Sequence, residues 1–314
     1  MSAVVVATAY GGPEVLAVVD EPVPDPGPGE VRVAVRAAGV NPVDYKAYSG
    51  AFGRDPANLP MRLGGEAAGV VTAVGPEAVG PSGPVAVGDE VIAFRAGGAY
   101  ASDLVVPATA VVPKPQNISW EQAGGLLLTG ATAAHAIAAS GLRAGETVLI
   151  HGASGGVGLM AVQLAVRHGA NVIATAGPAK HDLLRELRAT PVTYGEGLAD
   201  RVRAAAPNGV DAAFDLIGTD EAVDVSLELV PDRRRVVSIA AFGRGGDGIT
   251  LIGGGPGADP GTELRDAARL QLTDAVRAGD LRVLVARAYP LAEVAAAHRD
   301  IMGGHTTGKI VLVP

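Results

Sequence analysis

Val148-Leu-Ile-His-Gly-Ala-Ser-Gly-Gly-Val-Gly-Leu-Met-Ala-Val-Gln-Leu-Ala-Val-Arg-His-Gly-Ala-Asn-Val-Ile-Ala-Thr-Ala-Gly177 reads as strand, glycine turn, amphipathic helix and second strand. An apolar strand ends at Ile150, and Gly152, Gly155 and Gly158 follow at three-residue intervals. From Leu159 onward, Val162, Leu164, Ala165 and Val166 give the helix a buried side. Glycines at this spacing let the chain turn sharply, let a pyrophosphate approach the backbone, and let helix and strand pack closely. The helix N-terminus adds free amides and a positive dipole end for phosphate. The run Gly152, Ala153, Ser154, Gly155, Gly156, Val157 and Gly158 is therefore the expected cradle of a dinucleotide. A lone glycine motif is weak, but here it joins a strand to a helix and a second strand, Val172–Ala174, follows on cue.

Composition sets the outer limits. The chain has 314 residues, which suggests two domains, and 48% hydrophobic residues supply substantial cores. Its 44 glycines and 22 prolines punctuate apolar runs instead of forming a low-complexity block. A net charge of −8 argues against a nucleic-acid partner, which would require a basic face. Without cysteine there is no disulfide, no thiolate metal ligand and no cysteine nucleophile. The start, Met1-Ser-Ala-Val-Val-Val, reads as a strand rather than a basic leader. The most lipid-like stretch, Gly124–Leu142, is diluted by small residues and His135, so no membrane span is expected and the protein reads as cytoplasmic.

Up to residue 116 the pattern is short strands broken by glycine and proline: Val31–Ala38, Ala67–Val74, Glu90–Ala93 and Ser102–Val106, with a rigid loop at Pro22–Pro28. Such spacing suggests a compact β-barrel. From Trp120, helices alternate with strands Val148–Ile150, Val172–Ala174, Val192–Tyr194, Ala212–Leu216 and Val236–Ile239. Alternation of this kind specifies a doubly wound parallel sheet. Strand-like Val283–Ala286, helix-like Leu291–Ile301 and strand-like Lys309–Val313 complete the chain.

Ordered motifs now add up to a resemblance. Gly39-Val-Asn-Pro-Val-Asp-Tyr-Lys46, Gly64-Gly-Glu-Ala-Ala-Gly-Val-Val71, Gly88-Asp-Glu-Val91 and Gly98-Ala-Tyr-Ala101 come first. Leu128-Thr-Gly-Ala-Thr-Ala133, the glycine turn and His305-Thr-Thr-Gly-Lys-Ile-Val-Leu312 follow. Together they resemble the zinc-independent, quinone-oxidoreductase-like and enone reductase branch of the medium-chain dehydrogenase/reductase superfamily, from end to end. The resemblance implies an α/β protein: a GroES-like catalytic β-barrel domain, residues 1–116 completed by 285–314, and a Rossmann domain over 117–284. It further implies a cleft between them for nicotinamide and substrate, and a homodimer built through the Rossmann half around Thr250–Ile252.

Zinc-dependent relatives place a cysteine near the position of Asn41 and a His-Glu pair where Gly65-Glu66 stands. A catalytic zinc needs three protein ligands. Here thiolate and imidazole are missing, the six histidines do not cluster in sequence, and Glu66 reads as a structural carboxylate; no metal is expected. An NAD site would carry an acid about 20 residues past the glycine turn. Thr175-Ala-Gly-Pro-Ala-Lys180 has none, so NADPH is the expected cofactor. The family's phosphate-touching lysine and tyrosine match Lys180 and Tyr194, although Lys180 also reads as a solvated lysine at a helix start. The same reasoning makes Ala176 the place for an aspartate that would favour NADH.

Asn41, Tyr45 and Lys46 are the candidates for the reacting end, as groups able to donate to an oxygen gaining negative charge. In relatives the asparagine lies beside nicotinamide and substrate, and the Asp-aromatic-Lys form resembles enone reductases whose lysine contacts the cofactor. The competing reading makes Asn41 a turn former and Asp44–Lys46 a surface pair. Thr129 is a further cofactor candidate, or a helix cap. Ile217, Gly218, Ala240 and Phe242 end later strands on the edge where ligands bind, and Lys309 completes the cofactor set. Arg233–Arg235 reads as a solvated turn, and Gly253–Gly257 as either a lid or a subunit contact. The expected function is NADPH-dependent, zinc-free hydride transfer to the C=C bond of an α,β-unsaturated carbonyl, or to a quinone. A reductase of an unsaturated acyl or polyketide-like intermediate, and a low-turnover NADPH-binding sensor, are the alternatives.

Overall fold

Strand Thr147–His151, helix Gly156–Arg167 and strand Asn171–Thr175 form in the expected order, with both strands almost wholly buried. The computed structural model describes residues 1–314, which divide into two compact units, Met1–Leu128 with Arg269–Pro314, and Thr129–Ala268. In the second unit six parallel strands make one sheet, in the order Thr190–Val192, Asn171–Thr175, Thr147–His151, Ala212–Asp215, Val236–Ser238 and Thr250–Leu251. Numbered along the unit this is 3-2-1-4-5-6, the Rossmann order, whose direction reverses beside the first strand. Helices on both faces explain why strands such as Ala212–Asp215 are apolar throughout rather than alternating. Leu149, Ile173, Ala213 and Val236 sit at the centre of that core.

The first unit is the GroES-like barrel. Its long strand Glu30–Val40 alternates Val31, Val33 and Val35 inward with half-exposed neighbours between them. It pairs antiparallel with Glu66–Val74, Asp103–Pro107 and the C-terminal Lys309–Val313. Strand Lys309–Val313 lies parallel to Val285–Pro290, so the last thirty residues extend the sheet begun by the first forty. No helix is long and apolar enough to cross a membrane.

Two boundaries differ from the sequence reading. Residues 117–128 and 269–284 pack with the barrel, beyond the expected edges at 116 and 285. The cause is specific contact: Asn117 Nδ2 donates to the Val276 carbonyl at 2.9 Å, and Arg269 donates to the Thr109 carbonyl at 2.8 Å. The third Rossmann strand is Thr190–Val192 rather than Val192–Tyr194, because Thr190–Val192 pairs with Ile173–Thr175 and Tyr194 lies beyond its end. Arg235 is not merely solvated, since its guanidinium binds Glu146 and the Ser140 and Gly141 carbonyls.

Candidate functional site

The glycine turn shows why each of its positions is small. Gly152 adopts φ +69°, and a Cβ on Gly158 would lie 2.2 Å from the Gly152 carbonyl oxygen. Helix Gly156–Arg167 can therefore start only against a bare backbone, with Gly155 as its N-cap and no side chain capping it. Ala153 is buried and its N–H donates to the Thr175 carbonyl at 3.1 Å, tying turn to second strand. Beneath it, His151 Nε2 donates to Ser226 Oγ at 3.1 Å, because that hydroxyl spends its own proton on the Ala222 carbonyl. Burial pushes His151 down to about 4, so a neutral imidazole underlies the glycine turn.

At the end of the second strand, Thr175 and Ala176 are buried and Gly177 is half-buried. Ala176 N–H donates to the Val192 carbonyl at 3.1 Å, which brings the loops after strands two and three side by side. Tyr194 is 58% exposed and its hydroxyl lies 3.9 Å from where a Gly177 Cβ would sit. Neither that hydroxyl nor the half-buried Lys180 ammonium has a hydrogen-bond partner in the protein. Lys180 follows the end of the second strand in a short turn, its backbone N–H donating to the Gly177 carbonyl at 2.9 Å, and no carboxylate ends that strand.

Strands four and five end in a shared clasp that sequence reasoning missed. Asp215 is fully buried; its Oδ1 accepts from Ile217 N and Gly218 N at 3.1 and 2.8 Å. Its Oδ2 accepts from Ser238 Oγ at 2.6 Å, and that oxygen in turn accepts from Ala240 N and Ala241 N. One carboxylate thus sets both loops that carry Ile217, Gly218, Ala240 and Phe242. Phe242 lies across Gly255, where a Cβ would fall 2.4 Å from its ring. Thr129 is buried in the first turn of helix Leu127–Ser140, as its third residue.

In the barrel unit, Asn41 ends the long strand and opens helix Pro42–Tyr48, with its backbone N–H donating to Asp44 Oδ2 at 2.8 Å. Its side chain is fully engaged: Nδ2 donates to Gly39 O and Glu66 Oε1, and Oδ1 accepts from Lys309 Nζ at 2.6 Å. Lys309 spends its other protons on the Val40 carbonyl and Glu66 Oε1, at 3.0 and 3.1 Å. Glu66 Oε2 accepts from Leu128 N at 2.8 Å, the first turn of helix Leu127–Ser140, where a negative charge is favoured. Gly39 must be bare, since a Cβ there would meet Glu66 Oε1 at 2.4 Å. Asn41 and Lys309, both named among the expected site residues, bond one another in the interior. Tyr45 and Lys46 differ: both are half-buried and neither side chain makes a hydrogen bond.

Behind this cluster, Tyr100 OH donates to Asp44 Oδ2 at 2.6 Å, and Tyr48 OH meets His298 Nδ1 at 2.9 Å. Desolvation raises Asp44 to about 6, restrained by the hydrogen bonds from Tyr100 and Asn41. Burial lowers His298 to about 4. Their pH effects oppose one another. As pH falls from 6.5 towards 4 the unfolded chain protonates its histidine while folded His298 stays neutral, so stability is lost. Asp44 works the other way: its penalty for ionising in the folded state is relieved as pH falls through about 6 towards 4. Asp44→Asn keeps an oxygen acceptor but loses that relief. Between pH 7 and 5 the variant is expected to lose about 1.4 kcal/mol more stability than wild type, one pKa unit's worth. Urea unfolding followed by the fluorescence of Trp120, the sole tryptophan, measures it, and parallel pH profiles would refute it.

No three histidine, cysteine, aspartate or glutamate side chains come together in a way that could hold a metal. Glu66, the carboxylate nearest the expected zinc position, already has both oxygens committed to Lys309, Asn41 and Leu128 N. The residues do not fit zinc.

Comparison with known proteins agrees with this architecture. Residues 27–116 match the alcohol dehydrogenase GroES-like domain, and residues 187–312 match a family described as zinc-binding dehydrogenase. A quinone oxidoreductase of Pseudomonas aeruginosa is 36% identical, with 98% of each chain covered. The spectinabilin polyketide synthase system protein NorB of Streptomyces orinoci is 37% identical over 98% of this chain, which spans only 14% of that protein. Among solved structures, Escherichia coli quinone oxidoreductase complexed with NADPH superposes with a TM-score of 0.87 at 29% identity, covering 100% of both chains.

Proposed function

Because the chain belongs to the quinone oxidoreductase branch of the medium-chain dehydrogenase/reductase superfamily, we propose that it is an NADPH-dependent, zinc-free reductase of α,β-unsaturated carbonyls or quinones. The observation that carries the reading is the acid-free strand end at Ala176–Gly177, flanked by the unpartnered Lys180 ammonium and Tyr194 hydroxyl. The turn from Gly152 to Gly158 would hold the pyrophosphate on bare backbone, and Lys180 with Tyr194 would hold the 2′-phosphate. Thr129, Thr175 and the loops clasped by Asp215 would line the rest of the cofactor. When bound, NADPH supplies a hydride from C4 of its dihydronicotinamide ring.

Tyr45 and Lys46 take the role of donors to the substrate oxygen, since Asn41 has no proton to spare. As hydride adds to the β-carbon of an enone, the carbonyl oxygen gains negative charge and a hydrogen bond to it strengthens. Asn41 acts as the rigid N-cap that aims helix Pro42–Tyr48. Similarity to the polyketide synthase system protein supports an unsaturated acyl or polyketide-like intermediate as the alternative substrate class.

NADPH consumption with a panel of enones, quinones, an unsaturated acyl thioester and saturated ketones tests the reading, each with and without a chelator. Fast turnover of activated C=C bonds or quinones, unchanged by the chelator and with no stoichiometric zinc in the protein, is expected. Lys46→Met or Tyr45→Phe should lower kcat by roughly a hundredfold for whichever group is the donor, the cost of one oxyanion contact. Idle protein across the panel, or a required zinc, would overturn it.

The reading includes a cytoplasmic homodimer through the Rossmann half. Asp259 already covers the outer edge of strand Thr250–Leu251, donating to the Leu251 carbonyl and accepting from Gly253 N. The interface would therefore rest on side chains more than on strand pairing. Light scattering that finds only monomer at micromolar concentration would remove this part.

A further inference from the structure

We propose that Arg201 is a positioning residue that shapes the loop after the third Rossmann strand and so sets selectivity for the cofactor's 2′-phosphate without touching it. The inference rests on the NADPH reading above and assigns to it a residue that no motif marks.

Arg201 lies in helix Leu198–Ala205, and its guanidinium donates to three carbonyls of one short loop. Nε reaches Thr193 O at 2.9 Å, Nη2 reaches Gly195 O at 2.7 Å and Nη1 reaches Glu196 O at 2.7 Å. The one residue of Thr193–Glu196 whose carbonyl it passes over is Tyr194, the residue turned out to solvent. From the other side, Glu221 Oε2 accepts from Gly195 N at 3.1 Å, so the loop is gripped by both a cation and an anion. Gly195 at φ +97° and Gly197 at φ +77° allow the tight path. The preceding residue, Val192, is bonded through its carbonyl to Ala176 N, which fixes this loop against the strand end that carries Gly177.

A planar fork with five donors can satisfy three diverging carbonyls at once; a lysine ammonium on a flexible stem cannot reproduce that geometry. Removing the fork leaves three carbonyls to find other partners and frees the backbone that presents Tyr194. The tyrosine ring and hydroxyl then lose their fixed place beside Gly177, and an anion there loses one preorganised donor. Charge is a separate variable, and Arg201→Lys separates it from position.

The test measures dissociation constants of NADPH and NADH by calorimetry for wild type, Arg201→Lys, Arg201→Gln, Tyr194→Phe, Lys180→Ala and the double variant Arg201→Lys with Tyr194→Phe. Arg201→Lys is expected to weaken NADPH roughly tenfold, about the loss of one hydrogen bond to a charged group, and to leave NADH within twofold. The double variant should be no worse than the poorer single one, because both remove the same contact. If the Arg201 variants leave the NADPH-to-NADH ratio at its wild-type value while Tyr194→Phe or Lys180→Ala lowers it, the positioning role is wrong and the NADPH site stands. If they weaken both cofactors equally, Arg201 merely supports the fold and the proposal is equally wrong. If no variant changes the ratio, the 2′-phosphate site itself is misplaced. Arg201→Gln decides the matter should Arg201→Lys fail to fold.

Discussion

An aspartate in place of Gly177 should reverse the cofactor preference from NADPH to NADH. Sequence reasoning pointed to Ala176 for this acid, but Ala176 is buried and only 3% exposed, so a carboxylate there would have to be desolvated. Gly177 is half-exposed, has an ordinary backbone with φ −64° and ψ 151°, and a Cβ on it would meet only the Tyr194 hydroxyl, at 3.9 Å. Its new carboxylate would accept from the ribose 2′-hydroxyl of NADH and repel the phosphate of NADPH. Losing one charge-assisted hydrogen bond costs ~1.5–3 kcal/mol, so Lys180→Ala alone should weaken NADPH roughly ten- to a hundredfold, with NADH unchanged. Gly177→Asp adds repulsion to that loss and should be the more severe of the two. Titration of both cofactors at one ionic strength measures this, since surface charge effects are screened by salt. Equal losses for NADPH and NADH in either variant would show that the strand end is structural.

Lys309→Met should strongly destabilise the barrel unit. Lys309 and Glu66 are 4% and 0% exposed at their side chains, and the ammonium is the only cation bonded to that carboxylate. Removing one partner of a buried ion pair costs about 3–5 kcal/mol, because the other charge is left uncompensated. The remedy separates charge from packing. Adding Glu66→Gln to Lys309→Met removes the stranded charge and keeps an acceptor for Leu128 N, so most of the lost stability should return. Urea unfolding followed at Trp120 gives both values. A double variant as unstable as Lys309→Met would mean that volume, and not charge, is what the pair provides. Since Lys309 also holds Asn41 Oδ1, the single variant should lose activity beyond its loss of folded protein.

Much of this protein was legible in its residues. The run from Val148 to Gly177 specified the Rossmann unit because a glycine turn between an apolar strand and an amphipathic helix has one common structural solution. Alternating Val31, Val33 and Val35 likewise announced a half-buried barrel strand. The missing acid after Ala174 pointed to NADPH as the cofactor, in line with the NADPH-complexed relative. These signals are local: spacing, periodicity and the presence or absence of a charge within a few residues. The third strand was misplaced by two residues because Thr190-Pro191-Val192 carries a weak strand signal and its pairing with Ile173–Thr175 decides it. The edges of the compact units rest on similarly distant contacts, as Asn117 and Val276 are 159 residues apart and meet only in the fold. Only tertiary structure could show that Asn41 and Lys309, 268 residues apart, consume one another's polar groups and leave Tyr45 and Lys46 as the free donors. Arg201 and Asp215 were invisible for a further reason: their partners are mainly backbone carbonyls and amides, which every residue carries and no side-chain pattern records. Sequence therefore determined the scaffold, where local spacing and periodicity follow chain order; the fold decided which buried polar groups are spent on one another.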